Sequence, residues 1–202
     1  MVTAGRFRFG ASTVALAATL LPLYAQTMPD VVLDVTLADH TIDLVEEGFD
    51  VGLQKFDASM IARRLATSKV VLCASPATPA DVSGHDCLNF AFEQLRHHWP
   101  VHWENQVLNA PIVSRMVSNS GAVLRLAALA GMGIMLRSSF TLENDLESGR
   151  LVQLLQGHHL GQLSVMMVYP SRRLLSAKVC SFVGFLNAQF PHPESDPWLA
   201  GD

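Results

Sequence analysis

Eleven residues, Asp43-Leu44-Val45-Glu46-Glu47-Gly48-Phe49-Asp50-Val51-Gly52-Leu53, do most to limit what this chain can fold into. Apolar residues beside acidic ones, from about Thr41 to Glu47, read as a short amphipathic helix with Asp39 as its cap and Gly48 as its stop. Phe49 to Leu53 reads as a buried strand. Upstream, Val31 to Leu37 is β-branched and apolar, a second buried strand. Before it come a strand from Phe7 to Ala11 and a helix from about Thr13 to Met28, with Pro22 inside and Pro29-Asp30 behind it. Strand, helix, strand, helix and strand on short connections imply parallel strands with right-handed crossovers, hence an α/β fold.

The pattern continues along the chain. Lys69 to Ala74 is a strand that runs into Ser75-Pro76-Ala77-Thr78-Pro79, where the chain could leave one lobe for another. A second series follows. It has strands at Val101–Trp103, Pro111–Val117 and Gly133–Leu136, a helix at Gly121–Gly131 and a short helix at Leu142–Glu147. Leu163 to Tyr169 is a further strand. A last helix over Ser176–Gln189 carries Val179, Phe182, Val183, Phe185 and Leu186 on its apolar positions. The expected architecture is two Rossmann-like lobes joined by two crossover strands. Residues 1–75 and 170–190 form the first lobe and 76–169 the second, with a disordered tail at 191–202.

A chain of 202 residues, 50% hydrophobic and 16% charged, is long enough to bury one sizeable core or two small ones. Its net charge of −4 argues against duplex binding by this polypeptide alone, which needs a basic face. Cys73, Cys87 and Cys180 show no metal or redox spacing and read as buried, reduced thiols; one disulfide is the alternative. Arg6 and Arg8 ahead of the apolar run Gly10–Ala25, with Leu23-Tyr24-Ala25 as a loose cleavage site, would suit a secretory signal. The strand–helix reading is preferred because the neighbouring segments need that strand to complete a parallel sheet. The run is too short and interrupted to span a membrane.

Several stretches resemble the effector-binding domain of LysR-type bacterial transcriptional regulators. Asp43 to Leu53 is similar to a subgroup's DLVEEGFDVAIR. Ile61-Ala62-Arg63-Arg64-Leu65 with Val71 to Pro76 resembles "ARRL…VLCASP", and Ser83 to Leu88 resembles "LAGHDCL". Val117 to Gly121 with Leu126 to Ile134 resembles "AND…AALAGLGIALLP". Gly149 to Val152 and Val168 to Arg173 resemble "GRLVRVL" and "VYPSRR". The resemblance covers about residues 6 to 190 and implies a type 2 periplasmic-binding-protein-like fold. Such regulators begin with a winged helix-turn-helix, whereas this chain starts almost on the first effector-domain strand, as a domain, a truncated gene product or an excised piece would. Two departures fall near the expected site. The loop Ala11-Ser12-Thr13 is short, and Gln54-Lys55 stands where the subgroup has an arginine.

In doubly wound sheets ligands collect at strand carboxyl ends near helix N-termini. Ser12 and Thr13 after the first strand, and Ser118, Asn119 and Ser120 opening the middle helix, are candidate effector contacts suited to an anion. The resemblance points to the same two places. Ser12 and Ser120 as plain N-caps are the alternative. Gln54 and Lys55 follow the third strand, Lys55 as a possible cation. Gly131-Met132-Gly133 would allow either backbone approach to a ligand or tight packing. His97-His98 and His158-His159 are adjacent pairs whose side chains point apart, so neither makes a metal site. No nucleophile elbow is present and no catalytic residue is assigned.

The resemblance implies an effector-sensing and oligomerisation domain, not an enzyme, with no cofactor and no metal. It implies a small anionic or aromatic effector held between the lobes. It also implies a homodimer or higher homo-oligomer built from the helix near Leu16–Gln26 and the helix near Val123–Ala130. DNA would be reached only through an N-terminal domain outside this chain, in the cytoplasm, with no membrane partner. An extracytoplasmic solute-binding protein, which shares the two-lobe fold, is the alternative.

Overall fold

The computed structural model describes residues 5–11, 14–37, 43–53, 60–76, 84–103, 106–170 and 176–199. Contacts divide the chain into two compact units, one of residues 1–67 and 164–195 and the other of residues 68–163 and 196–202.

The first unit is built on β1 (Gly5–Ala11), α1 (Val14–Thr27), β2 (Val31–Leu37) and β3 (Val51–Leu53). β1 runs parallel to β2 over its whole length and parallel to β3 at Phe9–Ala11, so the first strand lies inside the sheet. That is the strand–helix reading of the N-terminal run. Its interior place follows from sequence: Phe7 and Phe9 share one face of the strand and both are buried. The expected helix over 41–47 is a set of turns in its described part, 44–48. Asp43 caps it, its Oδ1 accepting from the Val45 and Glu46 amides at 2.9 Å. Gly48 ends it at φ +71°, a conformation that strains any side chain. Asp39, named as cap, lies outside the described residues.

β4 (Met60–Ala74) and, on the return, β11 (Gln162–Pro170) each run from one unit into the other. β11 pairs antiparallel with β3. α3 (Ala177–Gln189) closes the first unit by seating Phe182 among three other rings. Its centroid lies 4.9 Å from Phe7, 5.5 Å from Phe9 and 4.8 Å from Tyr24 of α1. Trimming a fully buried ring of this kind costs about 3–5 kcal/mol.

The second unit holds β5 (Asp86–Phe90), β6 (His98–Trp103), β7 (Gln106–Pro111), β8 (Val113–Ser118), α2 (Gly121–Leu129), β9 (Ile134–Ser138) and β10 (Val152–Leu154). Its sheet runs β4-β9-β5-β8, with β10 against β4, while β6 and β7 form a separate antiparallel pair. β5 is parallel to both β8 and β9. Leu124 and Ala128 of α2 pack on Val71, Cys73, Leu88 and Met135 from three of those strands. The helix ends on Gly131 at φ +75°, whose amide donates to Ala128 O at 2.9 Å. Gly133 faces the amino end of β5, where an added Cβ would strike the Asp86 carbonyl. Of the two readings of that glycine, tight packing holds. The expected short helix over 142–147 is a single 3-10 turn at Ser139–Thr141 followed by turns.

The sequence reading put lobe boundaries at 75/76 and 169/170. The contact division falls at 67/68 and 163/164, inside β4 and β11, and again at 195/196. Residues 191–199, expected to be disordered, are laid down in turns with Asp196 buried. Cys73 and Cys87 are buried free thiols, whereas Cys180 is exposed.

Candidate ligand site

Three parallel neighbours, β8, β5 and β9, end at one edge of the second unit's sheet. Phe90 closes β5 and pairs with Ser118, which closes β8. The β5–β9 register, Cys87 with Ile134 and Leu88 with Met135, carries on towards Phe90 and Arg137. The Arg137 guanidinium stands over the Phe90 ring, 5.3 Å from its centroid. α2 begins two residues beyond Ser118. The edge therefore gathers a helix N-terminus, hydroxyls, an aromatic face and a guanidinium, all from one unit.

The turn into α2 is fixed by its own backbone. Ser118 O accepts from the Ala91 amide at 3.0 Å, and Ser118 Oγ accepts from the Ser120 amide at 3.0 Å. Ser120 stands at the N-cap position in an extended conformation, yet its hydroxyl makes no capping bond. The plain N-cap reading of Ser120 is thereby set aside: its hydroxyl makes no capping bond and has no partner among the described residues. Asn119 is exposed. The first helical bond is from the Leu124 amide to Ser120 O at 3.3 Å. The amides of Gly121, Ala122 and Val123 precede it and meet no acceptor among the described residues, as expected of an open helix start.

Arg137 was not singled out in the sequence, where the strand was read as ending at Leu136. Its guanidinium lies against Gly121. A Cβ on Gly121 would fall 3.0 Å from Arg137 Cζ and closer still to Nη2, so a larger residue there would displace the guanidinium. Burial is the main force on this group, pushing its pKa below the ordinary arginine value, with the Cys73 thiol opposing. That thiol is itself pushed up to about 12 by burial, so it is neutral at pH 7 and offers the guanidinium no charge. Arg137 makes no ion pair with any described carboxylate. The acids of the loop after β9 are committed elsewhere: Asp145 to Arg125 and Arg150, and Glu143 to Arg125. A half-buried cation beside unused amides is electrostatically incomplete until an anion arrives.

Ser118, Asn119 and Ser120 are thus brought together with Arg137. Ser12, Thr13, Gln54 and Lys55 lie outside the described residues. His159 meets His102 across strands, centroids 5.3 Å apart and edge to face, and no group of three or more metal-ligating side chains occurs among the described residues.

The comparisons with known proteins agree with this architecture. Residues 2–191 match the LysR substrate binding domain, and the chain belongs to that family. It is 34% identical over 200 residues to the HTH-type transcriptional regulator DmlR of Escherichia coli strain K12, covering 91% of this chain and 63% of that protein. It is 33% identical over 171 residues to an HTH-type transcriptional regulator of Haemophilus influenzae described as uncharacterized, covering 79% of this chain and 59% of that one. The chain spans about three fifths of the length of these curated relatives. Among solved structures it is similar to CrgA, a LysR-type transcriptional regulator from Neisseria meningitidis, at 26% identity and a TM-score of 0.80, over 93% of this chain and 69% of that one. The full-length virulence activator AphB of Vibrio cholerae, at 23% identity and a TM-score of 0.78 over 94% of this chain and 69% of that one, shares the fold. The fold is the two-lobed, type 2 periplasmic-binding-protein-like one. These relatives are transcriptional regulators rather than enzymes, and they do not favour the solute-binding alternative. Among the described residues no helix is long and apolar enough to cross a membrane.

Proposed function

We propose that this chain is the effector-sensing and dimerisation domain of a LysR-type bacterial transcriptional regulator, and that it takes a small anion at the start of α2. The observation that carries the reading is Arg137, a half-buried guanidinium facing the open amides of α2 with no anionic partner among the described residues. Ser118, Asn119 and Ser120 would add neutral donors, and Phe90 a flat apolar wall for an aromatic or planar acid. Ser12, Thr13, Gln54 and Lys55 are kept as candidates of the first unit, on their place directly after β1 and β3. DNA would be reached through a winged helix-turn-helix of the whole regulator, in the cytoplasm. Thermal shift and calorimetry against small mono- and dicarboxylates, aromatic acids included, test the site. A class of acid should stabilise the parent chain and not Arg137→Leu. Stabilisation undiminished in that variant would sink the assignment.

The partner in this reading is a second copy. α1 and β2 enclose an apolar groove of about 400 Å³ lined by Ala17, Ala18, Leu21, Leu33 and Val35 among others. On α2, Val123 and Leu126 stand exposed, Leu126 at 61%. An apolar ridge and an apolar groove on one chain are the elements of a two-fold contact, in which each copy supplies both. Sedimentation should give a dimer that Ala18→Glu and Leu126→Glu each dissociate. A monomer at high concentration in the parent chain would overturn it.

A further inference from the structure

β4 passes from one unit to the other between Thr67 and Ser68, and the chain makes the same passage again between Ser195 and Asp196. The two passages are bonded together. Thr67 N donates to Ser195 O at 3.0 Å, and Thr67 Oγ1 donates to Pro193 O at 3.1 Å. Lys69 N donates to Asp196 Oδ2 at 2.6 Å. Alternate amides of the crossing strand are thus satisfied by residues 193–196, as a ladder partner would satisfy them.

Asp196 is the anchor. It is 4% exposed. Ser139 Oγ donates to its carboxylate at 2.7 and 2.9 Å, and the Trp198 amide donates to Oδ1 at 3.1 Å. Ser68 Oγ lies 2.8 Å from Ser139 Oγ, which extends the set back to β4 at the point of crossing. Around it, the Trp198 ring packs on Phe140 at 5.8 Å between centroids, and Leu199 packs on the second unit's core. Among the described residues this carboxylate accepts from neutral donors alone, so at such burial geometry holds it in place.

We propose that residues 191–199 form a clamp on the crossing strand: docked, they close the amides of Thr67 and Lys69, and their release is what opens that stretch of β4. The device rests on the crossing and the Asp196 anchor and is independent of the effector reading.

The test is Asp196→Asn in the full chain. Both carboxylate oxygens accept from an N–H, Oδ2 from Lys69 and Oδ1 from Trp198, so either orientation of the amide sets a donor against a donor. Amide exchange by NMR should quicken at Thr67 and Lys69 by about tenfold or more relative to Phe9, Leu88 and Met135, as local opening does. Ser139→Ala, which removes a donor to the carboxylate and the acceptor of Ser68 Oγ but leaves the Asp196 bonds to Lys69 and Trp198 in place, should quicken exchange at the same amides by less. It serves alone if Asp196→Asn does not fold. Exchange that rises uniformly through both units, or that stays unchanged at Thr67 and Lys69, would overturn the clamp.

Discussion

Two arginines of the second unit sit at similar depth and do opposite things. Arg125 on α2 reaches Asp145 with Nε at 2.5 Å and Nη2 at 2.9 Å, and Glu143 at 2.9 Å. Asp145 is fully buried and also takes Arg150. Every charge in that group has its counter-charge, so it ties α2 to the loop after β9 and has nothing left to offer a ligand. Arg137, on β9, has an aromatic face and a helix N-terminus beside it but pairs with no acid among the described residues. Structural arginines are closed by their own chain; one that is left open by its own chain is where a ligand's charge has work to do.

The sharpest way to break this contrast is to open the closed side. Asp145→Ala leaves Arg125 and Arg150 without their shared carboxylate, and removing one partner of a buried pair costs about 3–5 kcal/mol. The urea midpoint should fall accordingly with the m-value unchanged. A loss under about 1 kcal/mol would mean that the network is solvated and that the two arginines are not different in kind.

Arg137→Leu is the complementary experiment. Removing a cation that has no partner should change stability by under about 1 kcal/mol in either direction, while costing about 10- to 100-fold in affinity for the bound acid. Arg125→Leu should do the reverse, lowering stability more than affinity. If the two variants behave alike, the distinction between a structural and a ligand-facing guanidinium fails here.

This contrast marks the limit of what the sequence alone discloses. β1, β2, α2 and α3 were legible because their burial follows a local period: Phe7 and Phe9 at strand spacing, Phe182 and Leu186 at helical spacing. The 15 residues of β4 were not, since Arg63-Arg64 and Ser68-Lys69 interrupt the apolar run and only the last six read as a strand. Arg137 was hidden because a charged residue directly after Ile134-Met135-Leu136 reads as a strand's solvent-facing end. Which acids its neighbours had already claimed is decided by side chains from three other elements. The tail was misleading for a similar reason. PHPESDPWLAGD has the composition of a solvated end, and the donors that hold Asp196 come from 57 and 127 positions away. Sequence shows what a residue could do; its long-range partners decide whether that capacity is spent.

Between the two arginine groups lies Cys73, whose thiol donates to Met135 O at 3.8 Å. Burial pushes its pKa from 9.0 to about 12. The folded state therefore holds this proton more tightly than the unfolded chain. The stability this provides is complete below pH 9 and is lost as pH rises from 9 towards 12, at up to about 1.4 kcal/mol per pH unit. Urea midpoints across that range should fall more steeply for the parent chain than for Cys73→Ala.

The smallest effect is the most discriminating. After burial, the largest influence on the Cys73 thiol is Arg137, which lowers its pKa, and the next is Asp145, which raises it. The thiol therefore senses the open cation from one side and the closed network's acid from the other. With the onset fixed by the unfolded thiol, Arg137→Leu should extend the alkaline fall in stability to higher pH, and Asp145→Asn should end it at lower pH. An anion bound at α2 should act as Arg137→Leu does, because it cancels the same charge. Titration of the thiol by its thiolate absorbance in the ultraviolet reads all three. Shifts of one sign in both variants would mean that the thiol reports general loosening. Opposite shifts, with the ligand reproducing the first, would tie the open guanidinium to the bound acid through a residue that touches neither the helix start nor the solvent.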